Sequence, residues 1–244
     1  MLEILTVPQI LFALAAIILA YIVRGITGFG SALIAVPLLA FILPLTVIVP
    51  LIVLLDFIAS ASHGLRHWRS VRWPLILPLL PFTLLGVSSA IYLLKSIDVS
   101  LLRQALGLFI IAYALYSLFA PAPRTQHSRY WAIPAGGFGG LIGTLFGTGG
   151  PFYVIYLQLQ GTDKTAFRAT IASIFLIDGS LRLVGFTSTG FYPHDTLMLV
   201  LSTLPVMLIA LYTGGHIHTS LRAETFRRAI SLLLIGSGLG LLLI

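Results

Sequence analysis

Apolar runs at 8–23, 31–43, 45–61, 74–94, 101–119, 131–146, 151–160, 168–185, 194–213 and 229–244 take up most of this chain, and nothing between them is long enough to fold alone. A helix crossing a bilayer core of about 30 Å needs about 20 apolar residues. About six to eight crossings or partial crossings therefore fit. Only 9% of the residues are charged and 58% are hydrophobic, whereas a soluble domain is about one quarter charged. The mean hydropathy is +1.06. Lipid must cover most of the exterior, so backbone polar groups must be satisfied inside helices. The expected fold is all-α: one polytopic membrane domain over residues 1–244.

The net charge of +7 would suggest nucleic acid in a soluble chain. Here the basic residues fall in short loops: Arg66, Arg69 and Arg72 in 62–73, Arg124 and Arg129 in 120–130, and Arg222, Arg227 and Arg228 in 214–228. That is the pattern that orients membrane helices with basic loops in the cytoplasm, and it leaves no nucleic-acid role. The loop 186–193 has neither Lys nor Arg and is expected outside. The absence of cysteine excludes disulfides and thiolate metal sites. Glu3 stands where a signal peptide would be basic, so the N-terminal run reads as the first membrane segment.

Two runs are too short to cross. At 1.5 Å per residue, 31–43 makes about 20 Å and 151–160 about 15 Å. Each follows a glycine-rich break, Gly25-Ile26-Thr27-Gly28-Phe29-Gly30-Ser31 and Gly147-Thr148-Gly149-Gly150-Pro151. Short interrupted segments at matching places in two halves point to a transporter binding site. The halves do match in order: Gly28-Phe29-Gly30-Ser31-Ala32 with Gly147-Thr148-Gly149-Gly150-Pro151, Leu54-Leu55-Asp56 with Leu176-Ile177-Asp178, Leu80-Pro81 with Leu204-Pro205, and Leu102-Arg103-Gln104-Ala105 with Phe226-Arg227-Arg228-Ala229. This collinearity implies duplication, with repeats at 8–119 and 131–244. The basic loop 62–73 corresponds to the uncharged loop 186–193, so the repeats are expected to be inverted. Each would hold a broken or re-entrant hairpin followed by three crossings. Two ordinary short spanning helices are the alternative for each hairpin.

The breaks carry the candidate chemistry. Gly28, Gly30, Gly147, Gly149 and Gly150 can take positive φ, and Pro151 suits the first turn of a new helix. Ser31 can cap or bind a ligand. A helix starting at a break presents unpaired N–H groups and its positive dipole end, which together suit an anion. Close helix packing through small residues is the bland alternative. Charged residues within the apolar runs are costly and usually functional. Singled out here are Arg24 before the first break, Asp56, and Asp178 with Arg182, one turn apart on one helical face. Asp178–Arg182 reads as a local ion pair or as part of a charge network. Asp56 or Asp178 is a candidate proton carrier. Arg24 either reaches the anion or snorkels to an interface. His63, His67, His216 and His218 read as surface residues, with no metal site and no cofactor. Gly136-Gly137-Phe138-Gly139-Gly140 opens a membrane helix rather than following a strand, so it reads as packing. No Walker, HExxH or GxSxG motif occurs. The chain is not expected to be an enzyme.

Arg24-Gly25-Ile26-Thr27-Gly28-Phe29-Gly30-Ser31 with Val36-Pro37-Leu38 resembles the first signature of the sulfite exporter TauE/SafE family. Residues Gly140 to Pro151 resemble its second signature, and Leu221 to Arg228 are similar to the loop before its last helix. The resemblance covers nearly the whole chain; Phe29 and Ser31 stand where the family often has glycine. It implies an anion permease of the bacterial cytoplasmic membrane for sulfite or organosulfonates. The expected mechanism is alternating access around an anion held by the glycine backbones, Thr27, Ser31 and Thr148, with Arg24 supplying charge. A passive anion channel and a cation or metal carrier are the rival readings. Association into a homo-oligomer is left open by the sequence.

Overall fold

The computed structural model describes residues 6–64, 70–119, 128–217 and 223–243. Arg66, Arg69, Arg124 and Arg222 of the orienting loops lie outside these residues, as do His67 and His218. The elements are α1 (Val7–Thr27), α2 (Ser31–Leu39), α3 (Leu45–Gly64), α4 (Trp73–Ile76), α5 (Leu80–Ser96), α6 (Val99–Phe119), α7 (Ala132–Phe146), α8 (Gly150–Leu159), α9 (Lys164–Ser188), α10 (His194–His216) and α11 (Ala223–Leu242). There is no strand among the described residues. Val7–Thr27, Val99–Phe119, Thr165–Ser188 and His194–His216 are each long and apolar enough to cross a membrane. Large apolar side chains such as Leu11, Leu85, Leu108, Leu201 and Ile209 are exposed, as lipid contact requires.

One apolar run divides where a single helix is expected. Residues 74–94 form α4 and α5, separated at Leu77–Leu79. Pro78 and Pro81 lack N–H groups, so the carbonyls four residues earlier, those of Pro74 and Leu77, lose their helical donors. The chain instead closes tight turns, with Leu79 N bonding Ile76 O at 2.9 Å and Leu80 N bonding Leu77 O at 3.3 Å. In α10, by contrast, a lone Pro205 lies inside a continuous helix.

The described chain forms two compact units. One comprises 1–48, 97–122 and 201–244, the other 49–96 and 123–200. Each takes elements from both halves of the sequence. In the first unit α1 meets α10 through glycine: a Cβ on Gly25 would run into Leu211 O, and one on Gly214 would run into Ile22 O. Every residue of α2 except Leu38 is buried, and Leu33 packs with Ala114 of α6 and Leu234 of α11.

In the second unit α7 uses two glycine faces. Gly136 and Gly140, one turn apart, lie against Leu79 O just before α5 and Thr83 O within it, and neither backbone leaves room for a Cβ. Gly139 and Gly143 face the other way, toward Tyr153 of α8 and Arg182 of α9. The glycine run 136–140 is therefore a packing surface, and it lets three helices approach one backbone. Asp163 caps α9, accepting from the N–H groups of Thr165 and Ala166 at 3.0 Å each. The Ala166 N–H is the main reason its carboxyl is held below the usual range.

Both breaks have the same length. α1 ends at Thr27 and α2 begins at Ser31; α7 ends at Phe146 and α8 begins at Gly150. Gly28 (φ 86°) and Gly147 (φ 71°) end the first arms in the left-handed region, which a residue with a Cβ enters at a cost. Gly28 has nothing within 4 Å of a built Cβ, so space is not its constraint. Gly28→Ala is expected to lower stability by roughly 1–2 kcal/mol, the left-handed backbone cost. Thermal unfolding in detergent measures it, and an unchanged midpoint would refute it.

Candidate functional site

The second break is the more fully built of the two. α8 starts at Gly150 with Pro151 in its first turn, and no side chain caps it. Pro151 has no N–H and Phe152 N bonds Gly149 O at 3.2 Å, so the break offers the Gly150 N–H and the positive helix end. Gly149 has φ −68°, so the expectation that it supplies positive φ is wrong. Space explains it instead: a Cβ there would run into Gly139 O and lie 2.8 Å from Arg182 Nη2. Gly150 is the first helical residue of α8 and also has no positive φ.

Arg182 reaches this break from α9 and is buried. Its guanidinium lies so close to Gly143 that any Cβ there would collide with it. Its Nη2 bonds Asp178 Oδ2 and lies 3.4 Å from Gly139 O. The other carboxylate oxygen, Asp178 Oδ1, accepts from the Tyr153 hydroxyl at 3.1 Å. Tyr153 Oη is also 3.4 Å from Thr83 Oγ1 of α5. All four side chains are buried. A buried ion pair persists when further hydrogen bonds complete it, as Tyr153 does here.

Three buried polar atoms have no hydrogen-bond partner among the described residues: Thr144 Oγ1, Thr148 Oγ1 and Arg182 Nε. Leaving such groups unpaired costs stability. Thr148 is in the break itself, Thr144 is in the last turn of α7, and Arg182 lies against Gly149. Donors without acceptors next to an uncapped helix start suit an anion.

The first break repeats part of this arrangement. Arg24 is buried rather than snorkelling, and its Nη1 donates to Ser31 Oγ at 2.8 Å. α2 likewise starts without a side-chain cap. Thr27 is exposed, and its hydroxyl lies 2.8 Å from Val23 O and 2.6 Å from Phe29 O, so it closes the turn. Asp56 is half-buried on α3.

Sequence reasoning missed Tyr153, Thr83, Thr144 and Gly143, and took Gly139 for packing alone. Tyr153 lies one turn into α8, and a polar ring at that depth was the available signal. The helical spacing of Gly139 and Gly143 was a second. His216 is exposed, its ring 4.1 Å from that of Tyr212 and tilted by 38°. No group of three His, Cys, Asp or Glu comes together among the described residues.

Among the described residues the chain is all-helical, with membrane-length apolar helices and a buried polar site, features that a membrane transport protein requires. Residues 13–241 match the model of the sulfite exporter TauE/SafE family, and the chain belongs to that family. It is a transporter family, and the chain is not an enzyme. One relative is the probable inner membrane transporter protein TsaS of Comamonas testosteroni, 28% identical over 78% of this chain and 81% of the relative. Another is the probable sulfite/organosulfonate exporter TauE of Cupriavidus necator, 27% identical over 90% of this chain and 88% of the relative. No solved structure matches.

Proposed function

We propose that this protein is a secondary permease of the inner membrane that moves sulfite or organosulfonates by alternating access between two inverted repeats. The observation that carries the reading is the second break: an uncapped α8 start beside Thr144 Oγ1, Thr148 Oγ1 and Arg182 Nε, buried donors without partners. A sulfonate or sulfite offers three oxygens to such donors. The relatives' names support the substrate class and the membrane. Equal break lengths, and the reciprocal glycine contacts of α5 with α7 and of α10 with α1, support the repeats.

The anion is held by the α8 N-terminus, Thr148 and Arg182. A coupling proton is assigned to Asp56, a half-buried carboxylate within an apolar helix. The ion pair with Arg182 also opposes a cation carrier, since Asp178 has a resident counterion.

The test is flux in liposomes holding the purified protein. Saturable sulfite and sulfonate uptake with counterflow is expected, faster with a pH gradient, and Asp56→Asn should remove that stimulation. Uptake without saturation or counterflow would make the protein a channel. No movement of any oxyanion would overturn the reading.

A further inference from the structure

We infer that Asp178 makes the second break selective for monoanions over dianions. The inference rests on the permease reading above and adds which ionic form the site accepts.

Arg182 is the cation placed against the break, and Asp178 is its ion-pair partner. Tyr153 donates to Asp178 Oδ1 and Arg182 to Oδ2, an arrangement that favours the carboxylate form. The pair is therefore neutral as a unit. The α8 N-terminus adds a partial charge of about +0.5. A bound monoanion leaves the site near about −0.5, and a dianion near about −1.5, on that partial charge. In a buried site the second value is far more costly, because uncompensated charge is poorly screened there. Alkanesulfonates and hydrogensulfite fit this rule; sulfate does not. Removing the Asp178 charge would leave about +1.5 before binding, so a monoanion would leave about +0.5 and a dianion about −0.5, and the monoanion preference is lost.

Competition against labelled methanesulfonate uptake in liposomes reads this directly, with unlabelled methanesulfonate and sulfate as competitors at fixed ionic strength. In the wild type, sulfate should compete at least about tenfold more weakly, a modest preference on the affinity scale. In Asp178→Asn, which keeps an acceptor for Tyr153, the gap should close or reverse. Asp178→Glu, which keeps the carboxylate charge beside Arg182, should retain the monoanion preference. A purely structural role for Asp178 would change the amount of active protein and not the ratio of competitors. Equal competition by sulfate in the wild type overturns the inference even if neither variant folds. So does an unchanged ratio in an Asp178→Asn protein that transports. Absence of both methanesulfonate and sulfite uptake in the wild type fails the permease reading, whereas uptake without charge preference fails only this one.

Discussion

Gly149→Leu is expected to abolish anion binding while the protein remains folded in the membrane. The first atom of the new side chain would run into Gly139 O and lie 2.8 Å from Arg182 Nη2, and the remaining carbons must go somewhere already occupied. The backbone itself tolerates the change, since Gly149 has φ −68°. The damage is therefore to the approach of α7, the break and the guanidinium. Arg182 must move, and with it the unpaired Nε. Overpacking of this sort costs typically about 1–3 kcal/mol. Binding suffers more, because donors displaced by about 1 Å no longer converge on one anion. Wild-type affinity for methanesulfonate in this variant would remove the second break from the site. Size-exclusion behaviour in detergent separates that outcome from unfolding.

Much of this fold is legible in residue order. The apolar runs locate the helices, because hydrocarbon leaves the backbone few alternatives to helix. The breaks follow from glycine and proline spacing, and the short lengths of α2 and α8 follow from the run lengths. Three-dimensional pairing is not legible in the same way. Two prolines three residues apart divide 74–94, while Pro205 stays within α10, and the difference lies in how many helical donors are lost at one place. Residue order assigns Gly149 to backbone freedom, but its constraint comes from Gly139 and Arg182, which are distant in sequence. Tyr153 joins α8 to Asp178 through a tertiary contact that no local pattern encodes. The ion pair is legible because its members are one helical turn apart; its placement against the break is not.

That ion pair gives the second large effect. Arg182→Leu is expected to destabilise the protein by about 3–5 kcal/mol, the usual result of stripping one partner from a buried pair. Asp178 would keep only the Tyr153 hydroxyl. Asp178→Leu should be similarly harmful, because Arg182 would then hold a buried charge with only Gly139 O at 3.4 Å nearby. The double variant Asp178→Leu with Arg182→Leu should recover most of that loss, since replacing a buried pair by apolar groups is often neutral. It should not recover transport, because the cation beside the break is gone. Unfolding in detergent and flux in liposomes, measured on all three variants, separate the two roles. A double variant as unstable as either single one would mean the pair is not an isolated electrostatic unit. A double variant that still transports would remove Arg182 from the anion site and leave the α8 N-terminus and Thr148 to bind alone.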